Sequence, residues 1–219
     1  MDTAALQRLL DWSRSVRSLA EPVVREHVPA DLDRAEARAF AESFRDELGQ
    51  RRPSDTAFLM HALGADAPVE APPESASELW SRVVSGQPHA EADEAAAAPL
   101  FPAISREGIE RWTEEELSGL HALSWLELQR DPQAAADRLA PIARFHVDEL
   151  QPDNATQRPW AAHVFRIVFE STGEVEHRLH ADTLVHACVV RTGRPDVFSA
   201  LILRDAADAV ERFASAFTA

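Results

Sequence analysis

With 37 acidic against 22 basic side chains among 219 residues, the chain carries a formal charge of −15. Nucleic-acid phosphates and anionic bilayers repel such a surface, which excludes both as partners. The 45% of hydrophobic residues suffices for a globular core. No apolar run approaches the ~20 residues that cross a bilayer, and no charged-then-apolar leader opens the chain, so the sequence reads as soluble and cytoplasmic.

All 22 basic residues are arginine, and there is neither lysine nor tyrosine, the mark of codon usage in a GC-rich genome. Schiff-base chemistry, the phosphate-loop lysine and tyrosine acid catalysis are thereby removed, leaving His, Asp, Glu and Arg. The single cysteine, Cys188, allows no internal disulfide.

Residues 3 to 20 place Leu6, Leu9, Leu10, Ser13, Val16 and Ala20 on one side of a helix, with Arg8, Arg14 and Arg17 away from it. Pro22 and Pro29 bracket a short connection, after which Asp31 can cap a second helix. Its stripe is Ala37, Phe40, Ala41, Phe44 and Leu48, and it closes at Gly49. A third helix follows Pro53, capped by Ser54 or Asp55, with Phe58, Leu59, Ala62 and Leu63 apolar, and stops at Gly64. His27 and His61, isolated at the edges of apolar stripes, read as packing or surface residues. These elements form an N-terminal helical segment, 1–64.

The stretch 65–104 is a Pro/Ala/Glu-rich acidic linker by composition. One short helix, Ser75 to Val84 around Leu79, Trp80 and Val83, can dock back on the body. The EADEAAAA run at 91–98 has helix propensity but nothing to bury.

From 105 to 219 the pattern is dense helix. Thr113 and Glu116 form a capping box for a helix reaching Arg130. Asp131 and Pro132 start the next, which runs to Leu150 through Leu139, Ile142 and Phe145 and which Pro141 should kink or split. The loop QPDNATQR, 151–158, leads to Pro159 and a helix apolar nearly all round to Ser171. Thr172 and Gly173 turn into 174–191, and Gly193 and Pro195 turn out of it into a last helix, 195–217. No strand is required, so the fold class is all-α. Connections of one to eight residues imply antiparallel neighbours, hence stacked antiparallel helical hairpins: an α-α hairpin array or a partial α/α-toroid-like bundle. In architecture alone this resembles helical-repeat arrays and the α/α toroids of some lyases and hydrolases.

In 174–191 the apolar residues Leu179, Leu184, Val185, Val189 and Val190 point in every direction, which predicts a helix buried on all sides. It nevertheless carries His177, His180, Asp182, Thr183, His186 and Cys188, whose polar atoms must find partners. Cys188 reads as a small hydrophobe and His177-x-x-His180 as a bare pair. Counting outward from the turns brings Glu116, His146, His163, Asp182 and Arg204 or Asp205 to one height, with Glu149 and His186 within a turn. Carboxylates three or four residues from imidazoles, as in His146/Glu149 and Asp182/His186, share a helix face and suit a general base or a metal ligand.

Two functions from different classes follow. The first is a helical-hairpin scaffold or interaction protein, with a protein partner or a homo-oligomer. The second is a hydrolase or lyase with His163, His186 and Asp182 catalytic, and with His146, Glu149, His163 and His186 as ligands of a divalent transition metal. In that second reading Asp153, Asn154 and Trp160 rim the ligand pocket.

Overall fold

The computed structural model describes residues 1–46, 49, 53–65, 74–86, 98–102, 108–150 and 157–218. Among them the regular structure is nine α-helices and no strand. Helix α1, Thr3–His27, is capped by Asp2, whose carboxylate accepts the Ala5 N–H at 2.7 Å. It runs about two turns past the expected end at Ala20, with Pro22 inside it. Pro22 is exposed, while Val23 and Val24 beside it are buried. Burying two valines, at about 1.5–3 kcal/mol each, outweighs the ~3 kcal/mol cost of an interior proline.

Helix α2, Arg34–Ser43, is opened by Asp33 and not by Asp31. Asp33 accepts from Ala35 and Glu36, and Glu36 returns a carboxylate to the Asp33 N–H, a reciprocal capping box. Helix α3, Pro53–Ala62, and helix α4, Ala76–Ser85, follow; Ser75 caps the latter, and Trp80 is fully buried between α3 and α5. The linker helix therefore does dock on the body. Most of the EADEAAAA run, 91–97, lies outside the described residues.

Helix α5, Ile109–Arg130, begins one turn before Thr113, from Gly108 at φ +82°. Thr113 is buried inside it, so the expected capping box does not form. Glu116 instead accepts the N–H groups of Leu100 at 3.0 Å and Phe101 at 2.6 Å, clamping segment 98–102 to α5. Helix α6, Pro132–Glu149, opens as its Asp131-Pro132 signal predicts and is not split by Pro141, which lies on its exposed side. Helix α7, Ala162–Thr172, starts three residues after Pro159, behind Ala161 in the left-handed region at φ +55°. Gly173, at φ +79°, turns the chain into α8, Val175–Val189. Helix α9, Val197–Ser215, is capped by Asp196, whose carboxylate accepts from the Ser199 N–H at 2.8 Å.

One hydrophobic cluster extends from Leu9 in α1 to Phe213 in α9. Helix α1 lies along α9, the most extensive helix pair, and Arg17 bridges to Asp208 and Glu211 across it. From α2 to α8 each helix packs on the next, and α6 also meets α8, whereas α8 makes no comparable contact with α9. Arg158 draws the approach to α7 inward: it meets Asp55 at 2.8 Å, Asp46 at 3.1 Å and Glu114 at 3.4 Å, and lies over the Phe198 ring.

Helix α8 differs most from its sequence reading. It is not buried all round: Val175, Leu179 and Val190 are 42, 55 and 59% exposed, and Asp182 and His186 stand beside them. Its inward stripe is His177, His180, Ala181, Leu184 and Cys188. Apolar residues fall on both faces, and imidazoles share the inner one with Ala181, Leu184 and Cys188. Hydrophobicity alone therefore shows no direction.

Candidate functional site

Asp205 of α9 is the hub of a buried network. Its Oδ2 accepts from His121 Nε2 at 2.9 Å and Trp125 Nε1 at 2.8 Å, both on α5, and its Oδ1 lies 3.0 Å from Nε2 of His61 on α3. The i, i+4 spacing of His121 and Trp125 points both rings toward α9. His121 Nδ1 accepts the Ala161 N–H at 3.3 Å. With Nδ1 an acceptor, Nε2 carries the proton and the ring is neutral. Burial accordingly holds His121 below the ordinary imidazole range, against the pull of Asp205. For Asp205 burial opposes ionisation, but His61 and His121 outweigh it and drive the carboxyl far below its usual range.

His163 of α7 continues the network, its ring centroid 4.3 Å from that of His121. The Ser124 hydroxyl donates to the His121 carbonyl at 2.7 Å, so His163 Nε2 donates to Ser124 Oγ at 2.6 Å. His163 Nδ1 and Trp160 Nε1 are buried without a hydrogen-bond partner among the described residues. Burial, with His121 adjacent, pushes His163 well below the ordinary range. The arrangement contains the parts of acid–base chemistry, a carboxylate orienting an imidazole, but Ser124, His121 and His163 are all fully enclosed. The network comes nearest to solvent at His61, whose side chain is 17% exposed between the rings of Trp80 and Trp125.

A second cluster lines the seam under α8. His146 of α6 donates from Nδ1 to the Ile142 carbonyl at 2.8 Å and turns Nε2 toward Glu116 Oε2 at 3.5 Å, beyond a good hydrogen bond. His180 packs its ring 4.3 Å from that of Phe165, and His177 stacks on the same ring at 6.5 Å. The two nitrogens of His177 and Nε2 of His180 and of His146 have no hydrogen-bond partner among the described residues. Burial, followed by His146 and His177, lowers His180 to about 3. Burial also lowers His177, reinforced by Arg144 and opposed by Glu174. His177 and His180 pack as neutral aromatic rings.

Of the residues singled out in sequence, His163 joins the Asp205 network and His146 meets Glu116. Asp182, His186 and Glu149 stand at the surface, Asp182 lying 3.9 Å from Arg166. Trp160 is buried against Phe58 and Phe198, and Asp153 and Asn154 lie outside the described residues. Among the described residues no three His, Cys, Asp or Glu side chains are placed to hold one metal ion, and no helix is long and apolar enough to cross a membrane. Burial raises the Cys188 thiol to about 12, so it remains an unreactive thiol. Sequence reasoning missed His121 altogether and set His61 aside; the signal for His121 was its spacing of three to Ser124 and four to Trp125 on one helix. No protein-family model matches the chain, and no curated protein or solved structure matches it.

Proposed function

We propose that this protein is a cytoplasmic helical interaction protein, built as a stack of antiparallel hairpins, that binds protein through the outer face of α8. One observation carries the reading. Of the five large apolar side chains most exposed among the described residues, three, Val175, Leu179 and Val190, fall on that single face. Scattered exposed apolar residues need no explanation, but a row on one helix marks a contact surface. The packing of consecutive helices from α2 to α8 on one another supports the hairpin arrangement, and the −15 charge favours a protein over a nucleic acid. The hydrolase or lyase reading, with or without a metal, has no comparable support: His146 and His163 are enclosed, while Asp182, His186 and Glu149 face outward.

The test is a benzophenone side chain placed at position 186, with position 38 on exposed α2 as control, irradiated in cells of the source organism. A protein adduct from 186 and none from 38 is the expected result. No adduct from 186, or equal adducts from both, overturns the reading.

A further inference from the structure

We propose that segment 98–102 is a plug, bound in cis, in a peptide cradle on α5, and that the cradle's partner in trans is a protein segment of the same chemistry: an apolar residue and a phenylalanine in sequence, flanked by prolines. This surface is separate from the outer face of α8, and what binds there does not decide what binds here. Residues 98–102 belong to no helix, and α5 holds them as a receptor holds a peptide. Fully buried Glu116 accepts the consecutive N–H groups of Leu100 and Phe101, at 3.0 and 2.6 Å. Trp112, a turn earlier, donates its indole N–H to the Phe101 carbonyl at 3.2 Å. All three bonds go to backbone, so they hold a passing chain whatever its side chains. Trp112, Glu116 and Gly119 are spaced four and three apart, which puts the two binding groups and a gap in the side chains on one face of α5.

Selectivity comes from that gap. The Phe101 ring lies where Gly119 would carry a Cβ, with Cε2 at 2.4 Å and Cζ at 2.6 Å, and Leu100 Cδ1 reaches the same point at 3.4 Å. Glycine is a poor residue for a helix interior, and the ring it admits accounts for its place in the middle of α5. Phe101 is buried, yet it stands outside the hydrophobic cluster that joins α1 to α9. Leu117, Leu120 and Leu123 fix α5 within that cluster, so the cradle keeps its shape when the ring is gone. Pro99 and Pro102, on either side of the docked pair, are exposed. Each has a fixed φ and no N–H to satisfy, so a segment of this kind loses little conformational entropy on docking. Tethering presents the plug to its cradle at an effective concentration on the order of millimolar, which shuts out a free segment until the plug is weakened.

Fluorescence polarisation of a fluorescein-labelled peptide of residues 98–103, Ala-Pro-Leu-Phe-Pro-Ala, titrated with the purified full chain, tests this. The Phe101→Ala chain, whose plug lacks its ring, should bind the peptide with Kd on the order of 100 µM, and the wild-type chain at least tenfold more weakly. A peptide with Ala in place of Phe should not bind. Adding Gly119→Ala to Phe101→Ala fills the gap with a methyl group and should weaken binding at least tenfold. Circular dichroism checks that each variant keeps its helicity, and Phe101→Leu replaces Phe101→Ala if that chain does not fold. No binding to a folded Phe101 variant overturns the cradle, and equal binding to wild type overturns the plug. Binding indifferent to the peptide's Phe or to Gly119→Ala overturns the selectivity.

Discussion

Replacing Asp205 separates the electrostatic from the hydrogen-bonding role of the buried network. The carboxylate accepts from His121, Trp125 and His61, at 2.9, 2.8 and 3.0 Å. In Asp205→Ala the N–H groups of His121 and Trp125 lose their acceptor where water does not reach, at about 1–3 kcal/mol each. His61, partly exposed, turns to solvent and adds little. The sum, about 3–5 kcal/mol, agrees with removal of one partner from a buried charged pair. Asp205→Asn keeps an oxygen where His121 and Trp125 converge, and its amide faces His61, whose Nε2 can become an acceptor with the proton moved to Nδ1. It loses charge assistance alone, about 1–2 kcal/mol. Urea denaturation followed by circular dichroism at pH 7.5 measures both variants. At roughly 2–4 °C per kcal/mol for a chain of this size, the Ala variant should melt ~6–20 °C below wild type and the Asn variant well above the Ala variant. Equal losses for Ala and Asn, or a loss under about 1 kcal/mol for Ala, would refute the view that acceptor geometry dominates at this site.

Two further substitutions, one of them with a control, test the packing. A Cβ on Gly119 would lie 2.4 Å from the Phe101 ring, so Gly119→Ala should displace that ring from α5, cost about 1–3 kcal/mol as overpacking does, and speed hydrogen exchange at the Leu100 and Phe101 amides that Glu116 holds; unchanged exchange there would refute the displacement. Arg158→Leu removes the guanidinium 2.8 Å from the nearly buried Asp55 carboxylate and should cost about 1–3 kcal/mol in urea, whereas Arg38→Leu, which breaks an exposed pair with Glu42, should cost less than about 0.5 kcal/mol.

The all-helical class and most helix positions were legible because apolar spacing and caps act over a few residues. Asp131-Pro132 marks the start of α6, and Gly173 marks the turn into α8. Boundaries moved where tertiary burial overrode a local signal. Val23 and Val24 carried α1 through Pro22, and Glu116 was diverted from a cap to the amides of Leu100 and Phe101. Counting heights across hairpins placed His163 and Asp205 near one level, and both belong to the His121 network. It could not supply rotation, so Asp182 and His186 were grouped with groups that face the opposite way. The Asp205 network joins residues 61, 121, 163 and 205, and no local pattern encodes a hub whose members are 40 or more positions apart.

Helix α8 shows what that missing rotation costs, and its attachment makes a prediction of its own. Its inward apolar side chains are small in number, Ala181, Leu184 and Cys188, against Phe198, Leu201, Ile202, Leu203, Val210 and Phe213 on α9. The remainder of its seam is imidazole: His177 and His180 meet Phe165 of α7, which His146 of α6 also meets, with Glu116 of α5 behind His146. At the α8 N-terminus stand Glu174, paired with Arg144, and Glu176. His177 and His180 are held below the unfolded imidazole value. Their contribution is therefore complete above pH ~6.5 and declines as pH falls, because the open state takes up protons that the closed state refuses. For His180, with a folded value of about 3, the loss at pH 5 is about 2 kcal/mol. Helix α9 carries one such contact, Asp205 with His121, in a packing that is otherwise aliphatic and aromatic. Amide hydrogen exchange, corrected for intrinsic rates, should thus show α8 losing protection between pH 7 and pH 5 before α9 does, and His180→Phe should remove most of that difference. If α8 and α9 lose protection in step, the imidazole seam is no weaker in acid than the rest of the core, and neutral packing of His177 and His180 does not govern the attachment of α8.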